Sequence, residues 1–185
     1  VSFSGGNESK GFFDGLYRIH EAASSLYHKT LLSERGKRAL KYLTDRGLTR
    51  ETIDYFKVGF APESSKYLLN TIKSEAYESQ VLEKCGLFGA SKNEFFDRFR
   101  SRIMFPIWNA SAKIVGFGGR VFASDDPAKY MNSPETPIYK KSDIFYGLHQ
   151  ARESIRREGF VILVEGYTDV IQLFQNGIKN CVAVS

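Results

Sequence analysis

Apolar and polar positions change their rhythm along the chain. From Asp14 to Leu32, Leu16, Ile19, Ala23, Leu26 and Leu31 recur at helical spacing and predict one helix. A second starts near Ser33 as N-cap and runs through Arg38, Leu40 and Leu43 to a stop at Gly47. A third, shorter helix runs from Thr49 to about Phe56, before Gly59 and Pro62. ESSKYLLNTIKSEA and ESQVLEKCGLF predict two more helical pieces. Near Phe95 the texture changes. RIMFPIWNASAKIVGFGGRVF alternates and is rich in β-branched and aromatic residues, which predicts a hairpin turning at NASAK. Pro106 puts its first strand at an edge or interrupts it. The polar, proline-marked ASDDPAKYMNSPETPIYKKSD predicts a long ordered loop with short strands. GLHQARESIRREG then reads as a helix ended by Gly159, FVILV as a strand, TDVIQLFQN as a helix with Gly177 at its C-cap, and NCVAVS as the start of another strand. Strand, helix, strand in so short a span is a parallel, right-handed unit. The fold class expected is α/β: an α+β region followed by an opening βαβ unit.

With 185 residues and 42% hydrophobic content the chain can bury one core, or one domain plus part of another. No apolar run approaches the ~20 residues of a membrane span. Ser and Gly make residues 1–10 a flexible leader, and the lack of both a signal layout and an initiator Met suggests a piece of a longer chain. Cys85 and Cys181 lie far apart, which argues against a disulfide framework or a Cys-based zinc site and fits a reducing, cytoplasmic setting.

Charge changes the picture more. The chain carries 26 Lys and Arg against 21 Asp and Glu, net +5. Between Arg98 and Lys141 there are eight basic residues and three acids, so the whole net charge lies in that stretch. Such concentration points to a polyanion partner, with a solvated basic face as the plain alternative.

Four patterns could carry chemistry. Glu165 ends an apolar strand, Gly166 permits a sharp turn, and Asp169 falls in the first turn of the next helix, where the dipole favours an anion. Ligands of open α/β sheets bind at that carboxyl edge, so both carboxylates can face one crevice. The plainer reading has Asp169 capping its helix and Glu165 paired with an arginine. RFRSR spaces Arg98, Arg100 and Arg102 two apart, on one face if the segment is a strand, with a phosphate backbone as the natural anion. GFGGRVF is not a dinucleotide fingerprint; its glycines mark a bulge or a close approach, with Arg120 placed to reach phosphate. KYMNSPETPIYKK presents Lys129, Asn132, Lys140 and Lys141 on a rigid loop suited to phosphates and sugar hydroxyls.

In this order and spacing, RFRSRIMFPI, VGFGGRVF, KYMNSPETPIYKKSDIFYGLHQAR and VILVEGYTDVI resemble the polymerase core of bacterial DnaG-type primases. The helical stretch from LYRIHEAASSLYHK to FKVGFAP resembles the start of that core, and the likeness runs from about residue 11 to the end. The resemblance implies an N-terminal α+β subdomain over 11–157 and, over 158–185, the beginning of a Toprim subdomain. It implies metal-dependent synthesis of short RNA primers from ribonucleoside triphosphates on a single-stranded DNA template, leaving an RNA–DNA hybrid. Glu165 would be the Toprim glutamate, catalytic and a ligand of Mg²⁺ or Mn²⁺ together with Asp169. Arg98, Arg100, Arg102, Arg120, Lys129 and Lys141 would bind nucleic acid, and Lys129, Asn132 and Lys141 the nucleotide. In this family zinc belongs to a module that precedes this core, and a replicative helicase docks on a region that follows it. The further Toprim acids would lie beyond Ser185, so the chain alone is expected not to be a competent primase. Two other readings stay open: a non-catalytic single-strand-binding module, and another Toprim protein such as a topoisomerase or nuclease.

Overall fold

The computed structural model describes residues 5–72, 76–92, 94–122 and 129–184, with side chains from Lys10 onward. The first helix, α1 (Gly5–Leu31), is longer than its spacing predicted. Its backbone already covers residues 5–10 of the expected flexible leader, and residues 1–4 lie outside the described residues. No proline interrupts this run. Leu16, Ile19, Ala23 and Leu31 are all buried, as one face of a helix requires.

The second predicted helix is broken in two. A 3₁₀ turn, Glu34–Gly36, precedes α2 (Lys37–Asp45). A Cβ at Gly36 would run into the Leu31 backbone, so the chain folds back on α1 where only glycine fits. Ser33 does not cap; its hydroxyl donates instead to the Thr30 carbonyl at 2.7 Å. Gly47, at φ +86°, ends the helical region as expected. In α3 (Arg50–Tyr55) the Thr49 side chain accepts from the Thr52 amide and caps the helix. Two short helices follow, α4 (Tyr67–Thr71) and α5 (Ser79–Lys84); residues 73–75 of the expected helical stretch lie outside the described ones.

A four-stranded antiparallel sheet forms the centre, in the order β1 (Gly59–Ala61), β4 (Arg102–Trp108), β5 (Ile114–Val121), β6 (Tyr130–Asn132). A separate hairpin joins β2 (Phe88–Ser91) to β3 (Glu94–Asp97). The β4–β5 hairpin turns at the expected residues, where the Asn109 side chain accepts from the amides of Ser111 and Lys113 at 2.9 and 3.0 Å. Pro106 is not on an edge strand. It lies beyond Met104, where β1 stops pairing, so β4 tolerates its missing N–H.

Both strands of this hairpin are buried almost throughout, because the sheet is covered on both faces. Met104, Ile114 and Phe117 pack under α1 with Leu16, Ile19 and Tyr27. Ile103, Phe105, Ile107 and Val115 pack on the other side. The alternation in the sequence therefore separates two apolar faces rather than a core face from a wet one.

That second face meets the last part of the chain. Strand β7 (Phe145–Tyr146) leads into α6 (Leu148–Glu158), which Gly159 ends at φ +77°. Strand β8 (Ile162–Val164), helix α7 (Tyr167–Gln175) and strand β9 (Cys181–Val184) follow. β8 and β9 are parallel, as expected, and β7 adds antiparallel to β9 in the order β7-β9-β8. Val170, Ile171, Cys181 and Ala183 share one core with Ile103, Phe105 and Phe56, so the apolar packing crosses the boundary expected at residue 158. FVILV forms a strand as expected, and although apolar throughout it lies at a sheet edge as β8, with Leu163 59% exposed. Mixed helices and sheets make the chain α/β overall. Among the described residues no helix is long and apolar enough to cross a membrane.

Candidate metal and nucleic-acid site

Because β8 and β9 run parallel, their carboxyl ends reach the same edge of the sheet. Glu165 follows β8 directly, Gly166 makes the turn, and Asp169 sits in the first turn of α7. Val184, at the end of β9, stands beside them. The opposite wall comes from β6, whose Tyr130 and Asn132 lie two apart and so share a face. The cavity they enclose has a volume of about 350 Å³. Glu165 and Asp169 from one pattern in the sequence and Asn132 from another thus line one crevice.

Tyr167 holds the two walls together. Its hydroxyl donates to Asn132 Oδ1 at 3.0 Å, and its ring presses on Gly118, the β5 residue paired with Asn132. This is the close approach that the glycine pattern implied. The carboxylates are exposed, and among the described residues neither forms an ion pair. The plainer reading of Glu165 as the partner of an arginine is therefore not the arrangement seen. Asp169 Oδ2 lies 2.9 Å from where a Cβ on Gly166 would stand, so its carboxylate folds back over the turn.

No group of three or more His, Cys, Asp or Glu side chains that could hold a metal occurs among the described residues. Two carboxylates facing one open cavity still suit a hard cation such as Mg²⁺, which keeps several waters and takes few protein ligands.

The basic residues divide. Arg98, Arg100 and Arg102 do not line one face of a strand: β3 ends at Asp97, β4 begins at Arg102, and Ser101 between them has φ +52°. Arg98 turns inward and donates to the Phe88 carbonyl at 3.3 Å. Arg102 is 2% exposed and packs against Gly119, while Arg100 is exposed. Asp97, just before them, lies close enough to Arg100 for the guanidinium to favour its charged form, while its carboxylate accepts from the Leu68 and Leu69 amides at 2.6 and 3.1 Å. Arg120 pairs across the sheet with Tyr130, on the cavity wall. Lys129, Lys140 and Lys141 are exposed and do not line the cavity; residues 123–128, which open their loop, lie outside the described ones.

A second groove, of about 590 Å³, is lined by Arg35, Arg38, Phe60, Phe122 and Ser101. Tyr42 reaches towards it, its ring centre 5.7 Å from that of Phe122. Sequence reasoning passed over Tyr42, Tyr130 and Tyr167. Tyr130 and Tyr167 sit inside quoted motifs next to chosen residues, whereas nothing local marks Tyr42, which is placed only by the packing of α2 on the sheet.

Residues 26–152, more than half of the chain, match the family described as DNA primase catalytic core, N-terminal domain. The chain belongs to this family. It is 41% identical over 175 residues to the DNA primase of Enterococcus faecalis and 43% identical over 171 residues to that of Halalkalibacterium halodurans, covering 91% of this chain in each case. It spans 28% of the length of these curated relatives. Among solved structures, a DnaG primase catalytic domain bound to ssDNA superposes with a TM-score of 0.86 at 36% identity, covering 94% of this chain and 54% of that one. The RNA polymerase domain of Mycobacterium tuberculosis primase DnaG, in complex with a double-stranded DNA oligomer with a 6-nucleotide overhang, gives 0.87 at 34% identity, covering 92% and 54%. The Escherichia coli primase catalytic core gives 0.84 at 37% identity, covering 92% and 54%.

Proposed function

We propose that this chain is part of a DNA primase, a nucleotidyltransferase that makes short RNA primers on single-stranded DNA from ribonucleoside triphosphates. The observation that carries the reading is the meeting of Glu165 and Asp169 with Asn132 in one cavity beside Arg120. Family membership supports it, as does the likeness to a primase domain bound to ssDNA. Residues from about 158 onward are the start of a Toprim subdomain in this reading, and the parallel β8–α7–β9 unit supports that. A replicative helicase, an RNA–DNA hybrid and a place in the bacterial replisome belong to the parent protein in the same reading.

Glu165 and Asp169 would hold Mg²⁺ or Mn²⁺, which neutralises charge developing on the transferred phosphate when bound. Asn132, tied to Tyr167, presents its amide towards the same space and orients the nucleotide. Arg120 and the exposed Arg100, Lys129 and Lys141 attract the phosphate backbone. Two carboxylates make a partial site, so the chain alone binds nucleic acid and metal but does not synthesise primers.

The test is a Mn²⁺ titration of the chain followed by electron paramagnetic resonance, with Glu165→Gln and Asp169→Asn beside the native sequence. Each substitution should weaken Mn²⁺ binding at least severalfold, and the pair should abolish it. Unchanged binding in Glu165→Gln would remove that residue from the site. Primer synthesis by the purified chain would overturn the claim that it is incompetent alone.

A further inference from the structure

Two glutamines on α7 hold the turn between α2 and α3, 126 positions earlier in the chain. Gln172 Nε2 donates to the Arg46 carbonyl at 2.9 Å, and Gln175 Nε2 to the Gly47 carbonyl at 2.8 Å. The Thr49 amide donates back to Gln175 Oε1 at 2.8 Å. Each partner is a backbone group that its own helix leaves open. Arg46 and Gly47 follow the last turn of α2, and Thr49 is the N-cap of α3. In a capping box the N-cap amide is taken by a Glu or Gln three residues inside the helix. That position here is Thr52, whose hydroxyl meets the Thr49 hydroxyl at 2.9 Å, and Gln175 supplies the acceptor from α7 instead. A glutamine amide carries both a donor and an acceptor, so one side chain closes two bonds in a single orientation.

The two ends of α7 have different surroundings. Its first turn carries Asp169 into the carboxylate cavity, and its last turn carries the glutamines. Nine residues make it a strut of roughly 13 Å. Val170 and Ile171 pack into the core, while Phe174 stacks on Tyr55 at 4.9 Å and meets Phe56 edge-on at 5.1 Å. Apolar packing is non-directional and sets the depth of a helix, whereas hydrogen bonds are directional and set its rotation. Asp169 and Gln172 are three apart and neighbours on the helix surface, so a roll that breaks the clamp moves Asp169 with it. A roll of about 10° at a radius of about 5 Å shifts a side-chain tip by about 1 Å. Metal-ligand distances tolerate only about 0.2 Å.

We infer that Gln172 and Gln175 are positioning residues of the carboxylate site: they fix the roll of α7 against the α2–α3 turn and so place Asp169 for a divalent cation. This rests on the reading of Glu165 and Asp169 as metal ligands. It makes the α2–α3 turn part of the site's support, although neither glutamine nor the turn lines the cavity.

The experiment puts a nitroxide on Lys41→Cys, an exposed position of α2, and adds Mn²⁺. Cys85 and Cys181 are buried, so the introduced thiol takes the label. Electron paramagnetic resonance then reads both the Mn²⁺ affinity and the distribution of Mn²⁺–nitroxide distances. The variants are Gln172→Met with Gln175→Met, which keeps the volume and removes both amides, and Gln172→Met alone as the milder change. All are measured at a temperature where thermal unfolding shows them folded; if the pair does not fold, Gln172→Met decides. The pair should weaken Mn²⁺ binding about tenfold, the low end for changes behind a metal ligand, and broaden the distance distribution. Gln172→Met alone should do both to a smaller degree. A lower thermal midpoint with native affinity and a native distribution overturns the inference and leaves the metal site standing. Weaker binding with a native distribution also overturns it, because the loss would not come from position. No Mn²⁺ binding by the native chain overturns the metal reading and this inference together.

Discussion

The Tyr167 ring rests on the backbone of Gly118, so closely that a Cβ there would overlap the ring. Tyr167 opens α7 two residues after Glu165, and Gly118 lies in β5 opposite Asn132. One contact therefore sets the distance between the carboxylate turn and the strand that carries the other wall of the cavity.

Gly118→Ala tests this contact. The backbone there has an ordinary φ, so the substitution adds a methyl group without conformational strain. Overpacking of this kind typically costs about 1–3 kcal/mol. The expected outcome is a fall of that size in urea unfolding, together with weaker Mn²⁺ binding, because α7 must move and takes Glu165 and Asp169 with it. A loss of stability with native Mn²⁺ affinity would show that the carboxylate turn is positioned by other contacts.

His20 makes stability depend on pH. It is fully buried, and burial pushes its pKa down from the usual 6.5 to about 4. Nδ1 donates to the Leu16 carbonyl at 2.7 Å, which leaves Nε2 as the bare nitrogen, with no partner to accept a proton's charge. Between pH 6.5 and 4 the unfolded chain binds a proton at His20 that the folded chain refuses, so stability falls as pH falls through that window. Below about 4 both states carry the proton and the loss levels off. The loss is on the order of 3 kcal/mol. His20→Leu should flatten the curve of unfolding free energy against pH in this window, and an unchanged curve would assign the dependence to other groups.

What could be read from the chain and what could not divide along physical lines. Helices with a single buried face, such as α1 and α7, and strands bounded by turn residues, such as the β4–β5 hairpin, carry their pattern locally. The carboxylates and Asn132 were legible because each sits in a motif whose local geometry follows from its neighbours. The reading failed where an interaction is distant in sequence. RFRSR has strand spacing, but its place between two sheets turns Arg98 and Arg102 inward and leaves Arg100 outside. Tyr42 meets Arg120 of β5 only once α2 packs on the sheet, and the edge position of β8 depends on which strands pair with β9.

Asp97 is another such case. It ends β3, yet its two oxygens accept from the second and third amides of α4, capping a helix that lies about thirty residues earlier. Lys66, the residue at the N-cap position of α4, makes no side-chain cap of its own. Asp97→Ala should leave those buried amides unsatisfied at a cost of about 1–3 kcal/mol for the lost acceptor. Hydrogen exchange should show the amides of Leu68 and Leu69 losing protection first. Equal loss across the whole chain would mean that Asp97 supports the core rather than this helix.

The three arginines of RFRSR should separate when tested one at a time. Arg100 is exposed, so Arg100→Ala should leave thermal stability unchanged and make the salt slope of oligothymidylate binding shallower by about 0.7, one phosphate contact on a single strand. Arg102 is buried, with its Cδ packed at Gly119, and its stem fills space that alanine would leave empty. Arg102→Ala should cost about 0.5–3 kcal/mol of stability. At temperatures where that variant stays folded, its salt slope should match the native chain. Arg98 falls between, since its guanidinium donates to the Phe88 carbonyl and ties the β2–β3 hairpin to the segment that follows. The reverse pattern, a changed slope in Arg102→Ala and none in Arg100→Ala, would mean that this segment rearranges when nucleic acid binds and brings the buried arginine to the surface.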